Sequence, residues 1–389
     1  MSKSAYILFI PSWFPSKVNE FNGDFNQRII IALSKVKHQV VVYIVGDIKV
    51  SKFFIEDQVG ENTTTIIGYY PKSKLPFFGK FLNFYRYIYF NLRVINKEIN
   101  NRGLPKYIHT YVFFPAGLIS LYFKNKYQLK SILTEHWTAF YNHSNRSLNN
   151  DSYIFKVVYK RILKSFDLIL PVAKALQTEM EKWNNYKNYE VIPNVVDTRL
   201  FNFNGIEKFK DFTFLHVSTL SYQKNPELLL SSFEEMLKSY PNLKLNIIGK
   251  AKKPLLLQIS NSSTLRNSVE LLGEMEYESV ALEMKKSQVL IMSSRFENLP
   301  CVILEALCCG LPVLSTNVGG ISEVINRSNG ILFDSENKVK ILKAMDEVIT
   351  TFEKYDLKLI SNSAIKEYSY EIVANRIYGA LKKNKIIIS

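Results

Sequence analysis

At 389 residues, 47% hydrophobic and 22% charged, the chain is long enough for two domains that each bury a core, and its composition excludes a disordered or fibrous protein. Its three cysteines, Cys301, Cys308 and Cys309, fall in one segment, which excludes a spaced disulfide framework and a Cys/His metal site and points to a reducing compartment. The formal charge of +15 is lopsided: residues 1–200 carry 27 Lys/Arg against 14 Asp/Glu, net +13, while residues 201–389 carry 23 against 21, net +2, so the excess faces the partner of the first half.

The opening MSKSAYILFIP has an apolar run cut short by Pro11 and does not read as a signal peptide. No window approaches the ~18 uninterrupted apolar residues of a membrane span, so a cytoplasmic protein is expected. Tyr6 to Ile10 predicts a buried strand, followed by a loop to Asp24 and a helix over Phe25 to Ser34. Asn22-Gly23-Asp24, just before that helix, is a candidate phosphate-facing turn, though weak as a short motif. Val40 to Val45, Ile108 to Tyr111, Ser131 to Thr134 and Leu168 to Val172 predict further short strands. Helical stretches lie between them, among them Asn150 to Phe166 and Ala173 to Trp183. Thr134-Glu135-His136-Trp137 places His136 at a strand's C-terminal end, on the cleft side, where it is either structural or functional.

Lys72 to Lys106 carries eight basic residues against one acid, Glu98, with Phe and Tyr interleaved from Phe77 to Phe90. A basic, aromatic, amphipathic stretch suits an anionic membrane surface. The alternative is a buried helix with a basic solvent face, and many of these aromatics are expected in the core.

The alternation then restarts. Phe212 to Ser218, Leu243 to Ile248, Val269 to Leu272, Val289 to Ser293, Pro312 to Ser315 and Gly330 to Phe333 predict strands. Pro226 to Ser239, Tyr277 to Lys286, Pro300 to Cys309 and Ile321 to Asn326 predict helices. Two βα series meeting near Ile192 to Asn204 predict an α/β protein of two doubly wound, Rossmann-like domains, residues 1–195 and 205–365. Their ligand cleft lies at the carboxyl ends of both sheets. An amphipathic terminal segment, 366–389, is placed to pack back across the domains.

Lys224 falls between a strand end and a helix opening at Pro226, where backbone N–H groups and an ammonium suit a phosphate. A solvated loop lysine is the plain alternative. The Ser218 hydroxyl either adds a donor or closes a turn. Glu297 and Glu305 lie in SRFENLPCVILEALCCG, the first in a loop and the second inside an apolar helix. Each could be ordinary capping or a solvated face. However, a carboxylate amid Cys301-Val302-Ile303-Leu304 and Ala306-Leu307-Cys308-Cys309 needs partners, and ribose hydroxyls would serve. Gly319-Gly320 permits close backbone approach or positive φ.

SRFENLPCVILEALCCGLPVLSTNVGGISEVI, with HVSTLSYQKN upstream and VIPNVVDTRLF between the halves, resembles the retaining glycosyltransferases of family 4, which have the GT-B fold. The resemblance implies that the second domain binds a nucleotide-diphosphate sugar, expected to be a UDP-sugar, with no cofactor and no metal. It implies that Lys224 contacts the diphosphate, that Glu305 takes the ribose, and that Glu297, Asn298, Leu299 and Pro300 hold the donor sugar, with Ser218 in the donor-binding set. Gly249 belongs to the same donor-binding set, and Gly23 covers the phosphates from the first domain. His136 approaches the reacting centre and, with Glu297, forms the catalytic pair. The family commonly has an Arg where this chain has Thr219, so either Lys224 suffices, or another basic residue such as Arg295 supplies the charge, or activity is weaker than typical.

The expected function is transfer of a hexose-type unit to a saccharide or lipid-linked saccharide in surface polysaccharide or lipopolysaccharide assembly. The enzyme would sit peripherally on the inner face of the membrane through its basic first domain. A sugar-nucleotide epimerase and a non-catalytic sugar-nucleotide-binding protein are the alternatives. Nucleic acid is not an expected partner, since no recognised module is present.

Overall fold

A computed structural model describes residues 6–144, 146–185, 188–334 and 336–387; Ile388 and Ser389, the end of the 366–389 segment, lie outside them. The first sheet holds β1 (Ile7–Pro11), β2 (Gln39–Asp47), β3 (Phe54–Val59), β4 (Thr63–Pro71), β5 (Tyr107–Tyr111), β6 (Lys130–Glu135) and β7 (Leu168–Pro171). It is interleaved with helices α1 (Asp24–Ser34), α2 (Phe77–Arg102), α3 (Ala116–Tyr127), α4 (Tyr153–Ser165) and α5 (Lys174–Glu181). Its order is β3-β4-β2-β1-β5-β6-β7, parallel except for the β3–β4 hairpin. β1, β5 and β7 are buried along their whole length, as strands covered on both faces must be.

The second sheet holds β8 (Thr213–Val217), β9 (Lys244–Ile248), β10 (Val269–Gly273), β11 (Val289–Met292), β12 (Val313–Thr316) and β13 (Gly330–Phe333), all parallel in the order β10-β9-β8-β11-β12-β13. Around it lie α6 (Pro226–Met236), α7 (Lys253–Asn261), α8 (Ser263–Ser268), α9 (Tyr277–Lys286), α10 (Cys301–Cys308), α11 (Lys338–Thr351) and α12 (Leu357–Tyr368). The last helix, α13 (Tyr370–Lys383), returns to the first domain. Val373, Ile377 and Leu381 are buried in one cluster with Ile7, Ile29 and Leu33.

Each sheet has a point where the strand order reverses, between β1 and β5 in the first and between β8 and β11 in the second. Ligands in such sheets bind beyond the strand carboxyl ends at that point. Two expectations need correction. Ile321 to Asn326 is not a helix but a single 3-10 turn, Ile321–Glu323, because Gly319 at φ +57° holds the chain in a loop up to its start. The aromatics of α2 are mostly not core: Phe77, Phe78, Phe81, Phe84, Tyr85 and Tyr89 are exposed, and the helix docks instead through Val94, Ile95 and Ile99. The β3–β4 hairpin is hidden in the sequence because its edge strand runs through Glu56, Asp57 and Gln58, polar residues that face solvent at a sheet edge.

Candidate functional site

The loop after β8 begins with Ser218. His216 Nδ1 donates to the Ile291 carbonyl at 2.8 Å, and burial pushes this imidazole down to about 4, so its Nε2 is an acceptor. The Ser218 hydroxyl therefore gives its proton to His216 Nε2 (2.8 Å) and accepts from the Leu220 N–H (3.0 Å). Ser218 thus closes the turn at the exit of β8. Gly249 is likewise structural: a Cβ there would lie 2.0 Å from the Ser218 carbonyl oxygen, so it is glycine that lets the β8 and β9 exits pack together.

Lys224 ends the turn Tyr222–Lys224, and Asn225 at φ +51° starts α6 with Pro226 as its first residue. The turn is sewn to the β11 exit: Ser293 Oγ donates to the Lys224 and Asn225 carbonyls, and the Arg295 N–H donates to the Gln223 carbonyl at 2.8 Å. These bonds bring Lys224 Nζ onto Glu297 Oε1, while Gln223 Nε2 donates to Glu297 Oε2 at 3.2 Å. Both side chains are largely buried, at 16% and 6% exposure. Arg295 is committed elsewhere. Its guanidinium lies over the Tyr222 ring and donates to Glu336 at 2.7 Å and to the Tyr222 carbonyl at 2.6 Å.

Gly319 and Gly320 hold the Glu297 loop from behind. A Cβ on Gly319 would lie 1.9 Å from the Glu297 carbonyl oxygen, and the Gly320 N–H donates to the Asn298 carbonyl at 2.8 Å. The close approach the pair permits is therefore to this loop. Pro300 caps α10, and the Leu299 carbonyl accepts from Asn194 Nδ2 of the linker at 2.8 Å.

The facing domain supplies the other wall. Gly23, at φ +70°, caps α1 so tightly that a Cβ would lie 2.5 Å from the Trp13 carbonyl oxygen. His136 follows β6, its ring 4.4 Å from that of Phe25. Its carbonyl accepts from Asn298 Nδ2 across the cleft. Burial pushes His136 down to about 3, so the imidazole is neutral at physiological pH. His136 Nε2, Asn298 Oδ1 and Asn26 Oδ1 are all buried without a hydrogen-bond partner. Buried polar groups are rarely left so.

Three charged residues that shape this cleft escaped the sequence reading. Arg28, on α1, crosses the cleft to pair with Glu305 and is also 2.7 Å from Asp24. Glu135 is fully buried and accepts three backbone N–H bonds, from Phe113 (2.9 Å), His136 (2.9 Å) and Trp137 (2.8 Å). It thus fixes the turn that presents His136, and burial lifts its carboxyl to about 7 despite those bonds. Glu323 takes the Lys174 and Ala175 N–H groups at 2.8 Å each, capping α5 from the other domain. For Arg28 a signal was there: a charge set against Ile29-Ile30-Ile31 needs a buried partner.

Two sequence profiles match in turn, Glycosyltransferase Family 4 over residues 26–200 and Glycosyl transferases group 1 over residues 198–365. The chain is 29% identical over 268 residues to an uncharacterized glycosyltransferase from Methanocaldococcus jannaschii, covering 68% of this chain and 71% of that one. It is 29% identical over 188 residues to a phosphatidylinositol N-acetylglucosaminyltransferase subunit from Arabidopsis thaliana. That alignment covers 48% of this chain and 42% of the relative, so less than half of that protein's length is spanned. The solved structure of Anabaena HepE in complex with UDP and glucose has a similar fold, with a TM-score of 0.73 at 16% identity, covering 97% of this chain and 100% of that one.

Proposed function

The chain belongs to the family 4 and group 1 glycosyltransferases, and from that premise we propose that it is a retaining enzyme moving a sugar from a UDP-sugar to a lipid-linked saccharide. The observation that carries the reading is the Lys224–Glu297 pair, held largely buried beside the N-termini of α6 and α10. A nucleoside diphosphate leaving a sugar gathers negative charge on its β-phosphate. An ammonium and two helix N-termini stabilise that charge as it grows, and the carboxylate beside them takes the donor sugar's hydroxyls. In this reading the incoming donor parts the ion pair, with its phosphate on Lys224 and its sugar on Glu297.

His136, neutral and with Nε2 unpaired, serves as a hydrogen-bonding group near the reacting centre rather than as a cation. The acceptor hydroxyl attacks from the face the diphosphate leaves, and the leaving phosphate takes its proton. HepE, of like fold, is described with UDP and glucose bound, which favours uridine as the base.

The acceptor's lipid is proposed from α2. Among the described residues no helix is long and apolar enough to cross a membrane. The first turns of α2, however, expose Phe77, Phe78, Phe81 and Tyr85 at 63–77%, with Lys72, Lys74 and Lys80 exposed among them. Aromatics beside lysines suit the headgroup layer of an anionic bilayer. A thermal-shift screen of nucleotide sugars tests the donor, because ligand binding raises the melting temperature. Transfer with the best hit separates a transferase from an epimerase, which converts the donor alone. No stabilisation by any nucleotide sugar would refute the donor reading. Failure to float with anionic vesicles at low salt would refute the membrane one.

A further inference from the structure

Glu305, read above as the ribose-binding carboxylate, already has a partner, and that partner comes from the opposite domain. Arg28 Nη1 donates to Glu305 Oε1, and Arg28 Nη2 donates to Asp24 Oδ2 at 2.7 Å. The guanidinium lies 4.3 Å from the centre of the Tyr277 ring, and the Tyr277 hydroxyl donates to Asp24. Asp24 and Arg28 ride on α1, whereas Tyr277 opens α9 and Glu305 sits in α10. Two bonds therefore cross the cleft within one closed cluster of four side chains. Glu305 retains 5% side-chain exposure and Arg28 11%, which leaves no open side of the carboxylate for a ribose.

We infer that Arg28 is an interdomain latch that competes with the donor's ribose for Glu305. Without donor, the guanidinium compensates a carboxylate that burial would otherwise disfavour, and it holds the domains together. Donor entry exchanges Arg28 for the ribose diol on Glu305 and breaks both crossing bonds. The exchange costs little on the α1 side, because Arg28 keeps Asp24, four residues before it on the same helix. A buried guanidinium left with no carboxylate would be far more expensive. A ligand shifts such an equilibrium only by its differential affinity for the two states, so part of the nucleoside's binding energy goes into opening the latch.

The inference rests on the donor reading of Glu305, and the test separates the two. Wild type, Arg28→Gln and Tyr277→Phe are titrated by calorimetry with UDP, uridine and inorganic pyrophosphate, and their ligand-free radii of gyration are measured by small-angle X-ray scattering. Arg28→Gln should bind UDP and uridine about five-fold or more tightly than wild type, with pyrophosphate unchanged. Its ligand-free form should be more open, with Tyr277→Phe in between. Tyr277→Phe changes no charge and carries the test if Arg28→Gln does not fold. Equal UDP affinity and equal radii across the three proteins would overturn the latch. Weaker binding of both UDP and pyrophosphate to Arg28→Gln would overturn it too, making Arg28 a phosphate ligand. No UDP binding by any of the three, with a more open Arg28→Gln, would overturn the donor reading and with it the competition, leaving Arg28 only as an interdomain tie.

Discussion

Glu297 and Glu305 stand in one short segment, yet the structure satisfies them in opposite ways. Glu297 meets Lys224 and Gln223, both in its own domain. Their turn is tied to the β11 exit by hydrogen bonds, and Gly319 backs the Glu297 loop. Neither side-chain partner of Glu297 comes from the facing domain. Glu305 meets Arg28, which lies 277 residues away on the facing domain, so its state depends on closure. Burial raises the Glu305 carboxyl above the ordinary range, and the Arg28 charge pulls it back. A preorganised carboxylate suits chemistry, because no reorganisation is needed as charge develops. A carboxylate whose partner can leave suits binding coupled to motion.

The largest expected effect breaks this contrast at its rigid end. Glu297→Gln should lower kcat by about 10²–10³-fold, read from initial rates at saturating donor. Adding Lys224→Met should lower it little further, since groups that act as a unit are not additive. Glu305→Gln should raise the KM for the donor more than it lowers kcat. Equal loss of kcat in Glu297→Gln and Glu305→Gln would erase the distinction.

Glu135 sharpens the contrast as a third buried carboxylate, held by backbone N–H groups alone. Its folded value of about 7 lies above its ordinary 4.5, so between those two pH values the native state holds more protons than the unfolded chain. The stability this group contributes is full below pH 4.5 and is lost as the pH rises through 7, a change of about 3 kcal/mol at roughly 1.4 kcal/mol per unit. His136, held down to about 3, works the other way. Its stability is present above its ordinary value of 6.5 and is lost as the pH falls. That term is common to wild type and Glu135→Gln and cancels between them. Urea unfolding at pH 4.5 and 7.5 should show wild type losing about 3 kcal/mol relative to Glu135→Gln on going up. A constant difference would show that Glu135 is ionised in the fold at both pH values.

Gly319→Ala tests how the rigid carboxylate is kept rigid. The new Cβ would lie 1.9 Å from the Glu297 carbonyl oxygen at a positive φ, so the loop must shift. A cost of about 1–3 kcal/mol in stability is expected, with a drop in kcat and not in KM alone. Unchanged kcat would mean that Glu297 tolerates movement.

The two carboxylates also mark how far a sequence can be read. That Lys224 and Glu297 share one site was legible, because both residues follow strand ends in a βα frame that brings adjacent strand exits together; their direct pairing was not. Arg28–Glu305 was not legible, since nothing in local pattern says which face of α1 meets which face of α10. Only the isoleucines beside Arg28 hinted that it was buried. Ser218 and Gly249 show a related limit, since each has a structural role of its own. Strand ends attract turn-closing hydroxyls and close-packed glycines for the sheet's own geometry, and a motif cannot distinguish these from ligand contacts. The repeated βα alternation survived all of this, because apolar runs between turn residues reflect burial on both faces.

The smallest effect concerns another carboxylate that spans the domains. Glu323 caps α5 through the N–H groups of Lys174 and Ala175, a contact with a helix N-terminus instead of a side-chain cation. Glu323→Gln keeps an acceptor oxygen but loses the charge and one of the two bonds. The expected cost is about 1 kcal/mol, measured by urea unfolding at neutral pH. A backbone cap has no second partner to release, so Glu323→Gln should leave the UDP affinity within about two-fold of wild type, unlike Arg28→Gln. If both substitutions tightened nucleotide binding alike, closure would depend on the total number of crossing bonds, and Arg28 would have no special claim on Glu305.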